Sequence, residues 1–296
     1  MRKAVITSLT LATVAALVVA VSASGRSTAP SAATAIPGCA KDKLGLLDDA
    51  GNLTIGADNP AFPPWFGGDE KTKPWKFSDP YSGKGYESAV AYAVAKQLGF
   101  TKSQVKWTVT PFNNSFRPGK KSFDLYITQV SYKPERAKAV DFSKAYYFVN
   151  QSIVGRKGKP IASVRSINGL KKYRLGAQVG TTSYDFIVRR IRPDSSPRVY
   201  DTNDQAVQAL KNGQIDGLVV DLPTAFYVTA VQVPDGKIVG QFAALGAKER
   251  FGMVLPKGSP LKACVNKALD RLWANGTIKN LQRIWLAKAT GAPVLK

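Results

Sequence analysis

Short runs of β-branched and aromatic residues alternate along this chain with stretches of helical period, and that alternation confines the fold to sheets crossed by helices. Leu53-Thr54-Ile55-Gly56 reads as a strand. Glu87 to Leu98 reads as a helix with Val90, Ala93, Val94 and Leu98 on one face and Gly99 as its stop, and Lys106 to Thr110 as the next strand. Phe112-Asn113-Asn114-Ser115-Phe116 opens another loop or helix. Leu125, Ile127 and Val130 mark a mostly buried strand, and Pro134 suits the first turn of the helix behind it. The order β, α, β, α, β predicts an α/β sheet with crossover helices.

A second unit opens after Gln151. Ser152 to Gly155 is a strand, and Arg174 to Gly180 is a strand ending in glycine. The helix that follows has Thr182 and Asp185 in the Ser/Thr-x-x-Asp/Glu capping pattern. Thr202 and Gln205 cap a further helix, Asp204 to Asn212, which stops at Gly213. Ile215 to Asp221 is a buried strand with a carboxylate at its carboxyl end. Phe251 to Pro260 resembles a strand plus turn. Two amphipathic helices follow, with Cys264, Val265, Ala268 and Leu269 on the first face and Ile278, Leu281, Ile284 and Trp285 on the second.

The amino terminus carries an address. Arg2-Lys3, the apolar run Ala4 to Val21 and the small-x-small pattern Val21-Ser22-Ala23 read as a secretory signal cleaved near Ala23, with an uncleaved anchor as the alternative. Residues 24–38 are Ser/Thr/Ala/Pro-rich, a flexible spacer. Export places the two cysteines in an oxidising compartment, where Cys39 and Cys264 are expected to form one disulfide, two separate thiols being the alternative.

What is missing narrows the chemistry. There is no histidine among the 296 residues, which removes histidine-based nucleophilic and metal sites, and two distant cysteines make no zinc site. No Gly-rich nucleotide loop is present, so no cofactor is expected. Carboxylate catalysis leaves no spacing signature and stays open; binding becomes the leading class. The formal charge of +22 comes from basic residues scattered along the chain rather than gathered in an arm, and Arg2 and Lys3 account for only two of them. Nucleic acid is therefore not expected as a partner, and adhesion to anionic envelope surfaces is a secondary expectation.

Strand ends point to the site. In open α/β sheets ligands lie outside the carboxyl ends of strands, which places Gln129, Ser131 and Arg136 where a small anion would be held. A guanidinium offers a carboxylate two parallel charge-assisted hydrogen bonds. The competing reading of Arg136 is a solvated arginine on a basic surface. Thr181 and Thr182 open a helix whose first N–H groups suit an anion, or else serve only as caps. Asp221, at the end of an apolar strand, needs a partner, and an ammonium would serve.

Several motifs follow one another in a set order. They are Gly56 to Phe66, Gly85-Tyr86-Glu87, Pro134 to Ser143, Val179 to Ser183, Gln208 to Asp216 and Asn275-Gly276-Thr277. This order resembles that of family 3 extracellular solute-binding proteins, the amino-acid-binding components of ABC importers, over nearly all of Leu53 to Leu286. The resemblance implies two Rossmann-like lobes joined by a two-stranded hinge, of the periplasmic binding protein-like type II fold, with the ligand in the cleft between them. Residues 39–148 and 246–296 would form lobe 1 and residues 149–245 lobe 2. It implies that Arg136 and Ser131 hold an α-carboxylate, that Thr181 and Thr182 complete the grip from lobe 2, and that Asp221 takes the α-ammonium. Phe62 would be the aromatic wall with Phe112 opposite, Asp58 would reach toward a polar side chain, and Gln129 would trim the pocket or add an amide contact. The implied partners are an amino acid and ABC permease subunits, and the protein is expected to be monomeric. Two departures stand out: Ala89 replaces a second acid, and the Asn59-Pro60-Ala61 loop is longer than usual. The rivals are a cyclohexadienyl-dehydratase-like enzyme on the same fold and a periplasmic amino-acid sensor subunit.

Overall fold

The structure is a computed structural model that describes residues 36–48, 50–68, 73–244, 247–287 and 291–296. The signal expected at 1–23 and the spacer up to residue 35 lie outside the described residues. The end of that spacer is corrected. Ile36 is buried in the core of the first sheet and its carbonyl accepts from the Cys39 amide at 3.0 Å, so residues 36–38 are part of the first lobe's packing rather than a free spacer.

The chain builds one sheet, crosses to a second and returns. The first part runs β1 (Leu53–Ala57), α1 (Tyr86–Gln97), β2 (Val105–Val109), α2 (Phe112–Ser115), β3 (Leu125–Tyr126), α3 (Pro134–Ala139) and β4 (Asp141–Val149). The second part runs β5 (Gln151–Arg156), β6 (Leu175–Gln178), α4 (Thr182–Phe186), β7 (Arg198–Tyr200), α5 (Asn203–Lys211), β8 (Gly217–Asp221), α6 (Leu222–Tyr227) and β9 (Gly236–Phe242). The return is β10 (Glu249–Leu255), α7 (Leu261–Ala274), α8 (Thr277–Leu286) and β11 (Val294–Leu295). The sheets have the orders β2-β1-β3-β10-β4 and β11-β9-β5-β8-β6-β7.

One sequence-based boundary is overturned. Assignment of everything from 246 to 296 to the first lobe fails at the tail, because β11 pairs in parallel with β9 of the second sheet, Val294 with Gln241 and Leu295 with Phe242. Leu295 is buried there, against a cluster that includes Phe242 and Val239. The chain thus makes a third crossing after α8.

Packing explains the elements. Val90, Val94 and Leu98 of the α1 segment are buried against β1 and against Val265, Leu269 and Leu272 of α7, so one apolar stripe per helix covers the sheet. Full burial of such side chains stabilises by roughly 1.5–3 kcal/mol each. Cys39 and Cys264 form the expected disulfide, which ties the segment before β1 to α7. Strand β3 is shorter than the run to Val130 suggests, because Gln129 takes a φ of 42°, in the left-handed region, and turns the chain out of the sheet. The cap of α4 also shifts by one residue: the Thr181 hydroxyl accepts from the Tyr184 amide at 3.1 Å, while Thr182 points elsewhere. The Thr202–Gln205 capping box at α5 is complete in both directions. Among the described residues no helix is long and apolar enough to cross a membrane.

Candidate ligand-binding site

Two pairs of parallel strands, one pair in each sheet, end at one place. Asp58 follows β1, Gln129 and Ser131 follow β3, Thr181 and Thr182 follow β6, and Asp221 closes β8. The carboxyl ends of both sheets therefore face a common cleft, as open α/β sheets favour. A cavity of about 140 Å³ lies there. All nine side chains singled out from the sequence line it: Asp58, Phe62, Phe112, Gln129, Ser131, Arg136, Thr181, Thr182 and Asp221.

Arg136 is not a solvated surface arginine, being 6% exposed. Its guanidinium lies over the Phe116 ring at 4.2 Å and near the Phe112 ring at 5.6 Å. Nη1 donates to the Ser131 carbonyl at 2.6 Å, within the first lobe, and Nη2 to the Gly180 carbonyl at 2.7 Å, across the cleft. Gly180 has a φ of +74°, which side-chain-bearing residues rarely adopt, and a Cβ there would come within 2.6 Å of Asn113 Oδ1 from the opposite lobe, which would have to move aside. Burial pulls the guanidinium down to about 10, offset in part by Asp185, Glu249, Asp221 and Glu135. It remains a cation at neutral pH, with donors to spare beyond its two carbonyl bonds.

The hydroxyls of Ser131 and Thr182 meet a residue that sequence reasoning passed over. Both reach Glu249 Oε1, Thr182 at 2.6 Å, and the two hydroxyl oxygens are 3.3 Å apart. Ser131 is brought there by the edge of β10, where it bridges to Phe251 two residues beyond Glu249. Gln151 Nε2 donates to Asp221 Oδ1 at 2.7 Å and lies 3.1 Å from Glu249 Oε2, while Gln151 Oε1 accepts from the Ser183 hydroxyl at 2.7 Å. Burial, then repulsion from Glu249, holds the Asp221 carboxyl well above the usual carboxylate range, against the Gln151 bond that lowers it. Gln151 supplies one partner for Asp221; a cation would supply a far stronger one.

Gln129 lines the cavity but spends its amides on Glu87. Its backbone amide donates to Glu87 Oε1 at 2.7 Å, its side-chain amide donates to Glu87 Oε2, and the Tyr146 hydroxyl also donates to Glu87. Glu87 is fully buried at the start of α1, and burial pushes its carboxyl from 4.5 up to about 7, the three donors working in the opposite direction. The folded protein thus retains a proton that the unfolded chain has released. Stability from this group is greatest below about 4.5, falls as pH rises toward about 7 and is level above it. A shift of this size corresponds to roughly 3 kcal/mol. Glu87→Gln is expected to flatten the fall in unfolding free energy between pH 5 and pH 8; an unaltered slope in denaturant titrations would show that another group carries it.

The cavity lining also has aromatic and acidic members. The Phe62 ring sits 4.8 Å from Phe77 and 6.0 Å from Tyr227 of the opposite lobe. Phe112 packs edge-on to Phe116 at 5.3 Å, beside Arg136. The Asp58 carboxylate accepts from the Asn59 amide at 2.9 Å, and burial raises its pKa. Asp204, at the start of α5, also lines the cavity, where Gln232 donates to it at 3.2 Å. Further contacts cross the cleft: Trp65 Nε1 donates to the Thr224 hydroxyl at 3.0 Å, and Lys133 pairs with Asp185.

Glu249, Gln151, Glu87, Asp204 and Tyr227 are the residues missed. Lys248-Glu249-Arg250 reads as an ordinary charged stretch before a strand, and Gln151 as a boundary, so neither carries a local signal. Glu87 stands within Gly85-Tyr86-Glu87, a motif read for its position and not for a buried carboxylate.

A two-lobed α/β frame with the carboxyl strand ends of both lobes turned on one cleft defines a ligand-binding protein of the periplasmic binding protein-like class. Residues 65–288 match the model for bacterial extracellular solute-binding proteins, family 3, and the chain belongs to that family. It is 27% identical over 259 residues to the L-cystine-binding protein TcyJ of Escherichia coli (strain K12), covering 86% of this chain and 88% of that one. It is 26% identical over 217 residues to the arginine-binding extracellular protein ArtP of Bacillus subtilis (strain 168), covering 72% of this chain and 82% of that one. The solved structure of an ancestral arginine-binding protein bound to arginine superposes with a TM-score of 0.62 at 30% identity, covering 79% of this chain and 97% of that one.

Proposed function

We propose that this protein captures an α-amino acid in the cleft and presents it, outside the cytoplasm, to the membrane subunits of an ABC importer. The observation that carries the reading is one buried cation and one half-buried carboxylate lining the same cavity, Arg136 from the first lobe and Asp221 from the second. An α-carboxylate would take the remaining guanidinium donors, and an α-ammonium would take Asp221. A ligand that touches both lobes favours the form in which they meet, by its differential affinity for that form. Family membership supports delivery to a transporter and a binding role rather than turnover. The leader expected at residues 1–23 supports export.

The charge balance of the cavity lining favours a basic side chain. Asp58 and Asp204 add two carboxylates beyond the one that an α-ammonium needs, and Arg136 is the one cation among the lining residues. The arginine-binding relatives agree with this ranking. A thermal-shift screen of the proteinogenic amino acids and ornithine tests the reading. A ligand at 100 times its Kd adds about 2.7 kcal/mol, and arginine, lysine or ornithine is expected to give the largest shift. A screen in which no amino acid raises the melting temperature would overturn the function.

A further inference from the structure

Glu249 stands at an unusual meeting point. It is the first residue of β10, opposite Val149 in the ladder beside the crossover to β5, yet its Oε1 receives hydroxyls from both lobes. Ser131 comes from the first lobe and Thr182 from the second. Its other oxygen shares the Gln151 amide with Asp221. A carboxylate only accepts, so each hydroxyl spends its single proton on Glu249 and has none left for a ligand carboxylate. Glu249 does not line the cavity itself; its contacts lie behind it.

We propose that Glu249 is a latch: by accepting the Ser131 and Thr182 hydroxyls together, it holds the lobes in register and raises the population of the binding-competent form before a ligand arrives. This revises the role of the two hydroxyls, which serve closure through Glu249 while Arg136 receives the ligand carboxylate. Glu249 is therefore a positioning residue. The affinity half of the proposal rests on the amino-acid reading above; the conformational half does not. Because apparent affinity scales with the competent fraction, loss of the latch should weaken binding of any ligand without altering the preference among ligands.

Small-angle X-ray scattering on the full chain, stripped of small molecules by unfolding and refolding, reads closure without any ligand. Glu249→Ala is expected to enlarge the radius of gyration relative to wild type, and Glu249→Gln, which keeps an acceptor oxygen, to restore most of the compaction. Calorimetry with L-arginine, L-lysine and L-ornithine should give dissociation constants raised about tenfold or more in Glu249→Ala, with the ranking unchanged, and close to wild type in Glu249→Gln. If Glu249→Ala does not fold, Thr182→Val removes one arm of the latch and should enlarge the stripped protein in the same way. Wild-type scattering from these variants, tighter binding by Glu249→Ala, or equal defects in the Ala and Gln variants would each overturn the latch. Failure of all three amino acids to bind wild type would overturn the amino-acid reading and leave scattering to decide the latch.

Discussion

Arg136→Ala is expected to weaken amino-acid binding by at least roughly 30-fold. The guanidinium is buried, stacked on Phe116 and fixed by two carbonyls, so its remaining donors are aimed before a ligand arrives. Its removal would leave the ligand carboxylate desolvated without a counter-charge, a loss of about 2–5 kcal/mol, or roughly 30-fold to several thousand-fold in Kd. It would also delete the bond to the Gly180 carbonyl, one of the contacts that join the lobes. Arg136→Lys separates these effects. It keeps the charge but not the fork, so intermediate binding is expected from the lysine variant. Calorimetry on folded Arg136→Ala that returns wild-type affinity would remove Arg136 from the site.

The second large effect concerns the Cys39–Cys264 disulfide. It closes a loop with a sequence separation of 225, and cross-links spanning long loops restrict the unfolded chain most. Replacing both cysteines by alanine is expected to lower unfolding free energy by about 5 kcal/mol on the chain-entropy account. The cost should fall on the first lobe, where Cys39 and Cys264 pack in the cluster that holds α1, α7 and α8. Denaturant midpoints of wild type under reducing conditions should match those of the double variant. An unchanged midpoint in the double variant would show that packing alone secures the ends.

What the sequence disclosed and what it concealed divide along the range of the interactions. Asp58, Ser131, Thr182 and Asp221 sit at strand ends, and a strand followed by a helix start is a local pattern, so their convergence on one cleft could be anticipated. The disulfide is long in range yet legible for a different reason, since two cysteines in an exported chain have only each other to pair with. Glu249 was not legible: its partner Ser131 lies 118 positions away, and only the pairing of β10 beside β3 and β4 brings them together. Gln129 is expected to trim the pocket or add an amide contact; it lines the pocket, and the turn at φ 42° commits its side-chain amide to Glu87, which no local pattern signals. The cap at α4 moved from Thr182 to Thr181 because the Thr182 hydroxyl had a carboxylate to meet. The last strand escaped notice because Val294–Leu295 is too short to announce itself and gains its place only by pairing with β9.

The zwitterion clamp is tested most directly by calorimetric titration of the purified wild-type protein. The amino acid with the largest thermal shift would be compared with two relatives of itself, one lacking the α-carboxylate and one lacking the α-ammonium. If Arg136 and Asp221 grip opposite ends of the ligand, the parent binds with one-to-one stoichiometry and each truncated relative binds at least roughly 30-fold more weakly, the cost of one buried unpaired charge. Equal binding by either relative would contradict the clamp at that end.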